Sequence, residues 1–127
     1  MLFAINSKAE ENNIKYYSED SGILSLMYHR FDENKYPSTN IQMDIFKEQM
    51  SIINNLNYKF YDPQHLQKKF DIIKNKKEIL ITIDDAFLSF YKIAWPYLKS
   101  KKIPFILFVS TEAVGKNGYM SWEQIQE

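Results

Sequence analysis

Two adjacent carboxylates, Asp84 and Asp85, close an apolar run, EILITIDDAF, that spans Glu78 to Phe87. Such a pair can divide its labour: one acid ligates a divalent metal while the other takes a proton from an attacking water. Successive side chains leave a strand in opposite directions, so a turn after the strand has to bring both acids to one pocket. A plainer reading is a helix N-cap plus an exposed acid, because Asp85 precedes a helical stretch and anions are favoured at that end. The position of the pair favours chemistry, since α/β folds place their sites at the C-terminal ends of buried parallel strands. The chain holds two imidazoles, His29 and His65. His29 ends an apolar stretch beside Arg30 and is expected at the same rim as the acids, orienting one of them or touching substrate. The alternative there is a histidine tied into a strand-end hydrogen-bond network. His65 lies opposite the apolar stripe of its helix and is expected to face solvent. The absence of Cys excludes disulfides, thiolate metal sites and a Cys nucleophile.

The elements that must position these groups are legible in the hydrophobic pattern. Ile23 to His29 predicts a strand, followed by a polar loop, RFDENKYPSTN. Met43, Phe46, Met50, Ile53 and Leu56 recur at helical spacing, with Asp44 and Glu48 in the half where the helix dipole is positive. Tyr58 to Tyr61 predicts a short strand. Asp62-Pro63 predicts a helix start, with Leu66, Phe70 and Ile73 on its apolar face and a solvated end at Lys74 to Lys77. Ile79 to Asp85 is the central strand, buried on both faces as in parallel sheets. Phe90, Ile93, Ala94, Tyr97 and Leu98 then form the stripe of a helix on a sheet, with Pro96 inside it predicting a kink or local loosening. Pro104 to Thr111 predicts a further buried strand, Gly115 to Gly118 a turn, and Ser121-Trp122-Glu123-Gln124 an N-cap opening a helix. Alternating strands and helices make this a parallel α/β arrangement. Four strands cannot close a barrel, and the chain stops at the start of a helix, so the expectation is a fragment.

Bulk numbers narrow the function classes. At 127 residues and 45% hydrophobic content the chain has the size and core of one domain or part of one. Sixteen basic and sixteen acidic residues cancel, leaving no field that would draw in nucleic acid or an anionic membrane. The aromatic content is high at 16%; rings suit sugar faces, but core packing is the more common use. The apolar runs are strand-length, so no membrane span is expected. Leu2 to Ile5 before Ser7-Lys8-Ala9 has the form of the tail of a signal sequence but is too short for a whole one, and chance is the simpler account. Residues 1–21 are expected to be a leader or loose N-terminal arm, and residues 22–127 the folded part.

Thr82-Ile83-Asp84-Asp85-Ala86-Phe87 resembles the first motif, T-F-D-D-G, of the polysaccharide deacetylases, the NodB-homology or carbohydrate esterase family 4 domain. Leu26 to Phe31 resembles an opening strand of that family, Ala94 to Lys99 the helix after the acid pair, Pro104 to Thr111 the next strand, and Met120-Ser121-Trp122 the lead-in to a second motif. The resemblance runs from about Ile23 to the end, over four-fifths of the chain. It implies a partial (β/α) barrel of the NodB type, truncated after about four strands, from an enzyme that removes acetyl groups from an N-acetylated polysaccharide with a divalent metal, commonly zinc. It further implies Asp84 as general base, Asp85 as metal ligand, and a periplasmic, cell-envelope or secreted setting; His29 and Arg30, from their place at the end of the first strand, are expected to bind or orient substrate. Ile83 and Ala86 depart from the usual Phe and Gly without removing a ligand atom. The family's second motif, H-[ST]-x-x-H, which supplies two His ligands, is expected roughly a helix and a strand after Ser121-Trp122, and the sequence stops before it; one carboxylate does not hold zinc, so the chain alone is expected to be inactive. The competing expectation is a non-catalytic fragment or degenerate homologue that binds glycan or a partner protein. A receiver-like Mg²⁺ site fits poorly, because such an acid pair belongs to the first strand of that fold.

Overall fold

A computed structural model describes residues 23–65 and 77–127. The expected leader and most of the helix after Asp62-Pro63 therefore lie outside the described residues. The central strand is β5 (Glu78–Ile83), where Ile79, Ile81, Thr82 and Ile83 are all buried. Strand β1 (Ile23–Tyr28) pairs with it in parallel along its full length, Ile23 opposite Glu78 and Tyr28 opposite Ile83. Two short strands share the other edge of β5, also in parallel. β4 (Lys59–Phe60) covers its start and β6 (Phe105–Leu107) its end. Backbone polarity shows the shared edge: the Lys77 and Ile79 carbonyls accept from Lys59 and Tyr61, and the Ile83 carbonyl from Phe108. All four strands therefore run the same way, and β1, β5 and β6 end at one rim.

The residues 30–40 were expected to be only loop, and this is corrected. Arg30–Phe31 (β2) and Asn40–Ile41 (β3) form a two-residue parallel ladder, and Phe31 is completely buried. Its backbone N–H bonds to Ser89 Oγ at 3.2 Å, which ties the segment to the helix beyond the acid pair. Asp32, in the left-handed region at φ 55°, caps helix α1 (Met43–Asn55) by accepting from the Met43 N–H at 2.8 Å. A capping acid eleven residues upstream has no local sequence signature. Met43, Phe46, Met50 and Ile53 face the core as their spacing requires, whereas Leu56 falls past the helix end and is exposed. Asn57 takes a left-handed φ of 59°, and the Tyr58 N–H reaches back to the Ile53 carbonyl, closing the helix.

The stripe after the acid pair forms a π-helical turn, Phe90–Ala94, running directly into helix α2 (Trp95–Lys101). The Trp95 N–H bonds to the Phe90 carbonyl five residues back, and Pro96, which has no N–H, follows at once. The loosening expected at Pro96 is thus a widened turn just ahead of it. Strand β6 is shorter and less buried than Pro104 to Thr111 suggested: it ends at Leu107, and Phe108 is exposed. Helix α3 (Trp122–Gln126) opens on the expected cap, a capping box between Ser121 and Gln124.

Aromatic rings hold the core together. Phe46 meets Tyr28 and Phe31 edge-on at 4.9 and 5.1 Å, and Phe90 meets Phe105 at 5.3 Å. Tyr28 donates its hydroxyl to Gln49 Oε1 at 2.7 Å, and burial pushes its phenol up to about 12. The folded pKa lies above the unfolded one, so the Tyr28 contribution is complete below pH ~10 and is lost as pH rises toward 12, at most on the order of 2 kcal/mol. Denaturant unfolding of the wild type should therefore weaken more steeply between about pH 10 and 12 than that of Tyr28→Phe. Parallel curves would contradict it.

Candidate functional site

The acids stand where β5 runs out of sheet. The Asp84 N–H bonds to the Tyr28 carbonyl at 2.8 Å, extending the β1–β5 ladder one residue past the strand. The next two residues, Asp85 at φ 70° and Ala86 at φ 54°, are both left-handed. Each such residue costs roughly 1–2 kcal/mol unless it is Gly, so the turn survives because its surroundings over-determine it. Those surroundings are visible. Phe87 pairs antiparallel with Tyr119, flanked by bonds from the Met120 N–H to the Ala86 carbonyl and from the Leu88 N–H to the Gly118 carbonyl, both 2.9 Å. The segment 118–120 thus grips the turn from outside the sheet, and Gly118, at φ 86°, lets the chain approach in that register.

The two carboxylates have different surroundings. Asp85 Oδ1 accepts from Ser110 Oγ at 2.7 Å. Asp84 Oδ1 is buried and has no hydrogen-bond partner among the described residues. A buried carboxylate oxygen left unpaired is unfavourable, which marks the spot as one where a water, ion or substrate group belongs. Ser110 did not stand out in the sequence. Its one signal is position: it lies three residues beyond β6, whose C-terminal end shares the rim with β5.

The register sets His29 level with Asp84, because Tyr28 opposes Ile83. Arg30 is brought to the same rim but is occupied by rings: its guanidinium carbon lies 3.4 Å from the Phe87 ring centroid and 4.1 Å from that of Tyr36. His65 is exposed on the 3₁₀ turn Pro63–His65, after a strand that pairs only with the start of β5. Among the described residues no three His, Cys, Asp or Glu side chains gather into a group that could hold a metal. Zinc takes three or four protein ligands, so the donors described here do not by themselves fit it. What they offer is one oriented carboxylate, Asp85, beside one unpaired carboxylate oxygen, on Asp84.

No protein-family model matches the chain, and no curated protein matches it. Solved structures do. IcaB from Ammonifex degensii superposes with a TM-score of 0.73 at 34% identity over 84% of this chain and 47% of its own. The deacetylase PplD from Streptococcus pyogenes, solved in complex with acetate, gives 0.69 at 23% identity, covering 82% and 50%. A de-N-acetylase from Aggregatibacter actinomycetemcomitans gives 0.71 at 15% identity, covering 81% and 48%. The chain thus spans about half the length of these structures.

Proposed function

We infer the function of this chain from its place among the NodB-type polysaccharide deacetylases, whose fold it shares and whose length it half spans: it contributes the acid pair of a hydrolase that removes N-acetyl groups from a glycan. The observation that carries this reading is the unpaired, buried Asp84 Oδ1 beside an oriented Asp85 at the end of the central strand. Asp84 is the general base: its carboxylate takes a proton from the water that attacks the acetyl carbonyl carbon and returns it to the sugar nitrogen as the C–N bond breaks, giving acetate and the free amine. Asp85, oriented by Ser110, would be one ligand of a divalent cation, zinc in this reading, and such an ion would supply Lewis acidity; the described residues alone do not complete its site. His29 lies level with Asp84 and orients substrate or acid. The fold is read as part of a (β/α) barrel, in keeping with exposed Leu24 and Met27 on β1, which the rest of such a barrel would cover. The setting is the cell envelope, periplasm or exterior, where N-acetylated polysaccharides are found.

Acetate release from N-acetylglucosamine oligomers by the natural protein that carries this chain tests the reading. Release should be lost on chelation, restored by a divalent metal and lost again in Asp85→Ala. The 127-residue chain alone should release none. Turnover indifferent to both chelation and Asp85→Ala would sink the mechanism. The second reading, a glycan-binding fragment without catalysis, is favoured only by the lack of three gathered metal donors among the described residues, and it predicts sugar binding that ignores chelators.

A further inference from the structure

Arg30 is enclosed more tightly than a residue that reaches for substrate. Its side chain is 15% exposed, and its Nε is buried with no partner among the described residues. Its ion contact, Nη1 to Glu33 Oε2, is long at 3.8 Å. The two rings flank the guanidinium instead, Phe87 at 3.4 Å and Tyr36 at 4.1 Å, and Phe87 packs in turn against Tyr119 at 4.9 Å. The stack therefore joins three separate segments. Its backbone anchors are the Arg30 N–H on the Thr39 carbonyl, the Tyr36 N–H on the Glu33 carbonyl, and the two bonds that bracket the Phe87–Tyr119 pair. Phe87 is bonded directly to Ala86, the second of the two left-handed residues.

We propose that Arg30 is a positioning residue for the acid pair: its guanidinium, held between Tyr36 and Phe87, keeps the Asp85–Ala86 turn left-handed and so holds Asp85 against Ser110. A right-handed turn would relieve backbone strain but swing the Asp85 carboxylate away from the Ser110 hydroxyl. Attraction between a desolvated cation and the Phe87 ring opposes that relaxation. Lys presents no flat face to two rings, so it does not replace Arg here. The proposal rests on reading Asp84 and Asp85 as the reactive pair, but its geometry is testable without catalysis.

The test is NMR on the chain, following the Asp85 carboxyl carbon and hydrogen exchange at the Leu88 and Met120 amides, in Arg30→Met, Arg30→Lys and, as the direct loss of the hydrogen bond, Ser110→Ala. Arg30→Met should move the Asp85 signal toward its Ser110→Ala position and speed exchange at both amides about tenfold, with the β5 amides unchanged. Arg30→Lys should not restore the wild-type signal. Phe87→Leu, which keeps apolar bulk but removes the ring, should give the same signature if Arg30→Met fails to fold. An Asp85 signal and exchange rates left at wild-type values by Arg30→Met, or by Phe87→Leu where that is the variant that folds, would overturn the proposal. In the natural protein, Arg30→Met should lower kcat with KM unchanged, and a rise in KM alone would instead make Arg30 a substrate contact. If the shifts appear but the wild type releases no acetate, the deacetylase reading fails and the clamp stands.

Discussion

Asp84→Asn should lower kcat/KM for acetate release by about 10²–10⁴-fold, the usual contribution of a positioned general base, and leave the protein at least as stable as the wild type. The two halves of this expectation come from one observation. Asp84 Oδ1 is buried without a partner, so it is free to accept a proton and it is also unfavourable to keep. Asn preserves size and shape, cannot act as base at neutral pH, and removes a partly buried charge. The plainer reading, in which Asp85 caps the following helix and the other acid is merely exposed, predicts instead that Asp84→Asn leaves activity and stability nearly unchanged. Steady-state kinetics and thermal unfolding of the same variant separate the two. Stability loss with full activity would remove Asp84 from the mechanism.

Replacing Ala86 has the largest expected effect on stability. Ala86 is 1% exposed at φ 54°, where the family pattern usually has Gly. Two terms act on Ala86→Gly in opposite directions: relief of left-handed strain, about 1 kcal/mol or slightly more, and loss of a buried methyl, about 0.8 kcal/mol. The net change should stay within about 1 kcal/mol. For Ala86→Val both terms are unfavourable. A β-branched residue is a poor fit to positive φ, and added bulk in a packed site costs typically about 1–3 kcal/mol, so the total loss should be roughly 3 kcal/mol or more. Denaturant unfolding checks both. A Val variant within about 0.5 kcal/mol of wild type would mean that the turn is not held left-handed as described.

The parts of the fold that were legible in sequence are those with local causes. Met43, Phe46, Met50 and Ile53 announce α1 because a helix repeats its buried face every three to four residues. Ser121 and Gln124 announce α3 because a capping box lies within four residues. The widened turn before Pro96 follows from a missing N–H. Phe31 was hidden because its neighbours are polar: its burial comes from Phe46, Phe90 and Ser89, which fold onto it from elsewhere in the chain. The helix expected over Leu66, Phe70 and Ile73 falls mostly outside the described residues.

By itself, the sequence determined that two acids end a buried parallel strand, that the surrounding pattern is α/β, and that its motifs resemble those of one deacetylase family, because burial periodicity and short motifs are properties of neighbouring residues. Only the tertiary structure decided what surrounds each acid. Asp85 meets Ser110 across 25 positions, and Arg30 stacks on Phe87, which is itself bridged to Tyr119. These pairings arise where the strand ends and a left-handed turn of non-glycine residues is held by distant partners, a balance of strain against packing that no local window of sequence contains.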